Sequence, residues 1–207
     1  MRGGLIAPLY QTLNPMNRAE AVSQLKNVWA ILSSDLDAAI QSGRKDNTPY
    51  AQRTMVRTWF ALVEGLSYQL RQVTLATLQG TDFLSILEIA LLKEERHSIN
   101  DKGYLKTSEQ FLPFPQSLLF SIRAYIKNHG AKFEADTQHP GWSAMLRAAK
   151  VRNHITHPKS VTALELSEED LKAVVEAAKW WKATMLGMFS ACKEADDYWR
   201  EQLEKTT

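Results

Sequence analysis

The sequence predicts an all-α protein, a single helical bundle of five to seven helices. Three observations predict it. Apolar residues recur at steps of three and four in nearly every long segment. No run alternates cleanly with the period of two that a half-buried strand requires. Helix-start and helix-stop residues punctuate the chain throughout. A length of 207 residues suits one domain with a real core. The expected domain spans 1–207, with residues 1–14 as an N-terminal arm, 97–114 as a small irregular insertion and 194–207 as a charged C-terminal tail that frays.

The first helix is expected after Asn14-Pro15, a cap followed by a first-turn proline. Val22, Leu25, Trp29, Leu32, Leu36 and Ile40 share one face, and Gly43 is the expected stop. Thr48-Pro49 opens the second helix. Its stripe is Trp59, Leu62, Val63, Leu66, Leu70 and Val73, with Gly65 inside as a place to bend and Gly80 as its end. After Asp82, residues 83–92 are apolar on most sides, which predicts the central, most buried helix.

Residues 97–114 break the pattern. Asn100-Asp101-Lys102-Gly103 is a turn signal, and Phe111-Leu112-Pro113-Phe114-Pro115 is apolar but unsuited to regular helix. A small hairpin and a cover over the bundle that serves an interface both fit this stretch. Helix resumes with Leu118, Leu119, Ile122, Tyr125 and Ile126 and stops at Gly130. Pro140-Gly141-Trp142 starts another, with Trp142, Met145, Leu146 and Ala149 toward the core. Ser167-Glu168-Glu169-Asp170 resembles a capping box and begins a long final helix. Leu171, Val174, Val175, Ala178, Trp181, Met185 and Met188 form its apolar face.

Composition narrows the function classes. Net charge is only +2 with pI about 8.6, so an anion site must come from local clustering. The single cysteine, Cys192, rules out an intrachain disulfide and a thiolate metal cluster. There is no leader-like apolar run and no stretch of about 18 apolar residues, which reads as an intracellular, cytoplasmic protein.

The most informative stretch is Arg152-Asn153-His154-Ile155-Thr156-His157, followed by Pro158. Proline pushes His157 out of the helical region, so His157 sits at or just past a helix end. There the free carbonyls carry partial negative charge, and an imidazole is suited to taking and giving a proton. Asn153 and His157 are four apart and share a face. Arg152 is offset from His157 by about 140°, and its long side chain carries a guanidinium fork that fits phosphate oxygens. From Thr137 to Leu164 there is no acidic residue, while Arg147, Lys150, Arg152 and Lys159 lie within that window with His139, His154 and His157. Such a basic window concentrates a polyanion. A solvated basic helix face, balanced by the acidic run from Glu165 to Asp170, is the plainer reading.

The stretch resembles the Arg-Asn-x-x-x-His signature of the HEPN superfamily, helical bundles that include metal-independent ribonucleases of defence and toxin–antitoxin systems. The resemblance covers six residues. It implies a metal-independent endoribonuclease with Arg152, Asn153 and His157 as catalytic residues and no cofactor. The chemistry fits internal transesterification. His157 takes the 2′-hydroxyl proton, the 2′-oxygen attacks phosphorus, Arg152 stabilises the growing charge and Asn153 orients. Products would be a 2′,3′-cyclic phosphate and a 5′-hydroxyl. His154, Arg147, Lys150 and Lys159 are the candidate RNA and phosphate contacts, with His154 also placed to act as a second proton carrier. The resemblance further implies a homodimer whose motif helices meet, and an antitoxin or small nucleotidyltransferase as partner. Other members cleave nothing and bind a nucleotide, RNA or a protein, so a non-catalytic module is the alternative.

Other candidates read more plainly. Glu94-Glu95-Arg96-His97 contains one Glu-x-x-His element, where a diiron bundle needs two, and no metal site is expected. His97 reads as a helix-end residue, His129 as a C-cap and His139 as a helix entry. Trp180-Trp181 reads as core packing plus one exposed ring, with base stacking by Trp180 the functional option. Arg53 and Arg57 share a face that is either solvated or an extension of an RNA track.

Overall fold

The starts of five helices among the described residues are fixed by side chains that bind first-turn amides lacking an intrahelical partner. In the computed structural model, which describes residues 17–78 and 83–206, α1 (Arg18–Asp46) begins at Asn17, whose side chain accepts from the Glu20 N–H at 2.9 Å. The expected Asn14-Pro15 start lies outside the described residues. The helix runs three residues past Gly43 and ends at Asn47, which takes the left-handed conformation (φ 33°). Asparagine is the other residue that tolerates that geometry, so Gly43 stays helical.

Helix α2 (Pro49–Thr77) opens at Thr48, as the Thr-Pro pair predicts. Gly65 marks a close approach: a Cβ there would stand 2.8 Å from Leu32 Cδ1 of α1. The predicted stop at Gly80 lies outside the described residues; α2 ends at Thr77.

The segment 83–92 overturns its expectation. Helix α3 (Ile86–Leu92) has only seven residues, starts at a Ser85–Glu88 capping box and ends before Glu94, a left-handed residue. It lies at the edge: Ile86 is 84% and Leu87 75% exposed, while Leu84 and Leu92 pack with Leu75, Phe120 and Ala124. Apolar residues on all sides are buried only if neighbours cover all sides, and among the described residues none covers the outer one.

The irregular insertion contains a hairpin. Strands β1 (Glu95–Ile99) and β2 (Leu105–Glu109) pair antiparallel, with His97 opposite Thr107. Asn100 accepts from the Lys102 and Tyr104 amides, and Gly103 takes φ 80° in the turn. His97 is therefore a strand residue, its Nδ1 3.0 Å from Thr107 Oγ1, and not a helix end. Arg71, buried in α2, holds the hairpin base through Glu94 at 2.9 Å.

Helix α4 (Phe114–Asn128) begins four residues earlier than Leu118, because first-turn prolines lose no hydrogen bond. His129 caps it and Gly130 (φ 61°) turns the chain, as expected. Helix α5 (Pro140–Thr156) follows, then a 3-10 turn at Thr162–Leu164, then α6 (Glu168–Thr206). The charged residues 194–206 are the last turns of α6, not a separate tail. One core takes side chains from all the long helices, among them Leu25, Phe60, Ile122, Met145, Ile155 and Met188. Leu146 and Val175, expected inside, are 36% and 47% exposed at the margins of their stripes. Trp180 and Trp181 are both buried, so neither offers a ring for base stacking; Trp180 donates to the Asp136 carbonyl at 2.9 Å.

Helices α5 and α6 touch closely at Gly141, where a Cβ would lie 2.4 Å from Trp180 Cβ. Gly141→Ala is expected to lower stability by about 1–3 kcal/mol through overpacking. A shift in the urea midpoint, at unchanged slope, measures it.

Candidate functional site

Helix α5 carries the motif, and its pattern decides which residues reach solvent. Met145, Ala148, Ala149, Val151 and Ile155 are buried against the bundle. The same spacing turns Arg147, Lys150, Asn153, His154 and His157 outward, and all five are exposed. His139 starts the helix, its Nδ1 accepting from the Gly141 N–H at 2.9 Å. His157 ends it with φ −125° and ψ 63°, its N–H still donating to the Asn153 carbonyl at 2.9 Å. Pro158 then prevents continuation.

Two arginines of α2 secure this helix end. Arg57 donates to the Ile155 carbonyl, and Arg53 Nη1 donates to the Leu164 carbonyl at 3.1 Å. Arg57 is exposed and Arg53 half-buried, and each also donates to a carbonyl beside the motif. A cation at last-turn carbonyls also meets the partial negative charge of the helix end.

Asn153, His154, His157 and Lys159 line one groove of about 740 Å³, completed by Ser160, Thr162 and Ala163. Among the described residues no carboxylate lines it. Ser160 Oγ and Thr162 Oγ1 are 2.8 Å apart on the loop that forms its other side. A second cavity of about 330 Å³ shares His154 and Thr162 and adds Arg147 and Lys150, together with Glu165 and Asp170. Arg147 is already engaged there, donating to Asp170 from Nε at 3.1 Å and Nη2 at 2.9 Å. Of the four expected phosphate contacts, His154, Lys150 and Lys159 remain without a salt bridge among the described residues.

Arg152 lies outside both cavities. Its guanidinium pairs with Glu64 of α2 and stands 5.2 Å from the Phe60 ring and 5.7 Å from the Phe114 ring. Burial pushes its pKa down from the ordinary arginine value. Its Nε is buried without a partner among the described residues. The motif is thus divided: Asn153 and His157 share the groove with His154 and Lys159, while Arg152 faces α2. Glu64 and the role of Arg57 were not legible in the sequence. Each contact spans 88 or 98 residues, and no local pattern marks them.

Asp170 ties the site to the last helix. Its carboxylate accepts from the Ser167 N–H and hydroxyl as well as from Arg147. Burial alone pushes its pKa up, but the bonds from Arg147 and Ser167 outweigh it and hold the group below the usual carboxylate range. A depressed folded-state pKa adds stability that is present above the unfolded value of about 4 and is lost as pH falls through the folded one. Asp170→Asn is expected to be less stable than wild type at pH 7, with the difference shrinking below about pH 4. Thermal melts across that range check it.

Elsewhere, His129 Nδ1 is 3.1 Å from Asp196 Oδ1, and Cys192 is buried, its thiol pushed up to about 12 mainly by burial. Among the described residues no three His, Cys, Asp or Glu side chains cluster to hold a metal ion, and no helix is long and apolar enough to cross a membrane. Compared with known proteins, the chain matches no family model, no curated protein and no solved structure.

Proposed function

We propose that this chain is an endoribonuclease of the HEPN type, a toxin or phage-defence effector, which cleaves RNA at the groove beside the C-terminal end of α5 without a metal. One observation carries the reading: two imidazoles, an amide and an ammonium line one solvent-open groove to which no carboxylate among the described residues contributes. Such a groove attracts a phosphodiester and holds proton carriers beside it. His157 takes the 2′-hydroxyl proton. Lys159 meets the phosphate charge, and Asn153 orients substrate or imidazole. A requirement for the 2′-hydroxyl makes the activity RNA-specific. Arg152 reaches a phosphate only by exchanging Glu64 for it, and until then it holds α5 on α2.

That engagement of Arg152 favours the second reading, a non-catalytic module that binds RNA, a nucleotide or a partner protein. Labelled RNA in excess chelator, with Arg152→Ala and His157→Ala beside wild type, separates the two. Cleavage by wild type that disappears in His157→Ala, with both variants folded by circular dichroism, supports the ribonuclease. Binding without cleavage selects the module. The dimer, the antitoxin and the nucleotidyltransferase partner rest on the resemblance alone.

A further inference from the structure

We propose that His154 is the general acid of this site, so that one chain carries both proton carriers for RNA cleavage; this rests on the ribonuclease reading above. His154, in the last turn of α5, and His157, the residue that caps it, line the same groove. Residues three apart at a helix end stand about one turn from each other, and both imidazoles border the same stretch of groove. Both residues are exposed, and among the described residues no carboxylate lines the groove beside them. His154 alone of the pair also lines the neighbouring cavity with Arg147 and Lys150. Arg147 is paired there with Asp170, so Lys150 is the cation on the side of His154 without a salt bridge among the described residues.

The step balances. The 2′-hydroxyl proton goes to His157 as the 2′-oxygen–phosphorus bond forms. The phosphorus–5′-oxygen bond breaks, and the 5′-oxygen takes its proton from His154. A 2′,3′-cyclic phosphate and a 5′-hydroxyl leave, and the two imidazoles exchange protons with solvent to regain their starting states. The charged groups around His154 are Lys159 from the loop, Arg147 and Lys150 from α5, and Glu165 and Asp170 beyond the 3-10 turn, Asp170 being bound by Arg147.

The test compares a normal RNA dinucleotide linkage with one in which sulfur replaces the bridging 5′-oxygen. A thiolate leaves without protonation, so the sulfur substrate needs the base but not the acid. His154→Ala is expected to cleave the oxygen substrate about 10²- to 10⁴-fold more slowly than wild type, and the sulfur substrate within about tenfold of wild type. It also loses the fall in rate at high pH that an acid imposes, whereas His157→Ala fails on both substrates. His154→Gln, with melts matching wild type, guards against a folding artefact. Wild-type rates on the oxygen substrate, or an equal loss on both substrates, overturn the assignment and leave the ribonuclease reading standing. Activity regained on mixing His154→Ala with His157→Ala chains overturns the one-chain arrangement. Wild type that cleaves neither substrate overturns both readings together.

Discussion

His157→Ala is expected to lower RNA cleavage by about 10²- to 10⁴-fold, the range a lost proton carrier gives, with no change in thermal unfolding. The second half follows from position. The ring is exposed, and the hydrogen bond that ends α5 comes from the His157 backbone, which alanine keeps. A stability loss equal to that of a core variant would show that the ring has a packing role that its exposure denies. Single-turnover cleavage beside calorimetry separates the outcomes. His157→Gln keeps the size and a hydrogen-bonding group but cannot act as base, and it is expected to fail as alanine does.

Ile155→Ala is expected to cost about 2–5 kcal/mol, the range for emptying a fully buried aliphatic site. Ile155 is 0% exposed and packs into the main core, so it anchors the turn that turns His154 and His157 outward. Its carbonyl is also the acceptor for Arg57. The loss therefore combines a cavity with a loosened helix end. Urea unfolding measures the first, and cleavage below the transition measures the second. A cost under about 1 kcal/mol would mean that the site collapses around the smaller side chain.

The sequence signals that succeeded are local ones. Thr48-Pro49, Ser167 with Asp170, and His157 before Pro158 each act within one helical turn, and each helix boundary falls where they place it. The turn at Asn100–Gly103 likewise specifies the hairpin as soon as a hairpin is considered. The failures come from relations between distant segments. Residues 83–92 are apolar enough for a core, but composition does not say which neighbours exist, and α3 lies at the edge. Trp180 is buried because α5 closes on it at Gly141, a contact written in neither helix alone. The site divides the same way. The faces of Asn153, His154 and His157 follow from helical period, whereas the direction of Arg152 is set by Glu64, 88 residues earlier. A long side chain beside a motif has two directions open to it, and its partner chooses.

As proposed, the groove beside the end of α5 cuts RNA through the 2′-hydroxyl. The most direct measurement uses a labelled RNA cut at one position and the same strand with a single 2′-deoxyribose there, both in excess chelator. The expected result is cleavage of the first strand to a 2′,3′-cyclic phosphate and a 5′-hydroxyl, none at the substituted position of the second, and none of either by His157→Ala. Cleavage at the 2′-deoxy position, or products that carry a 5′-phosphate, would contradict it.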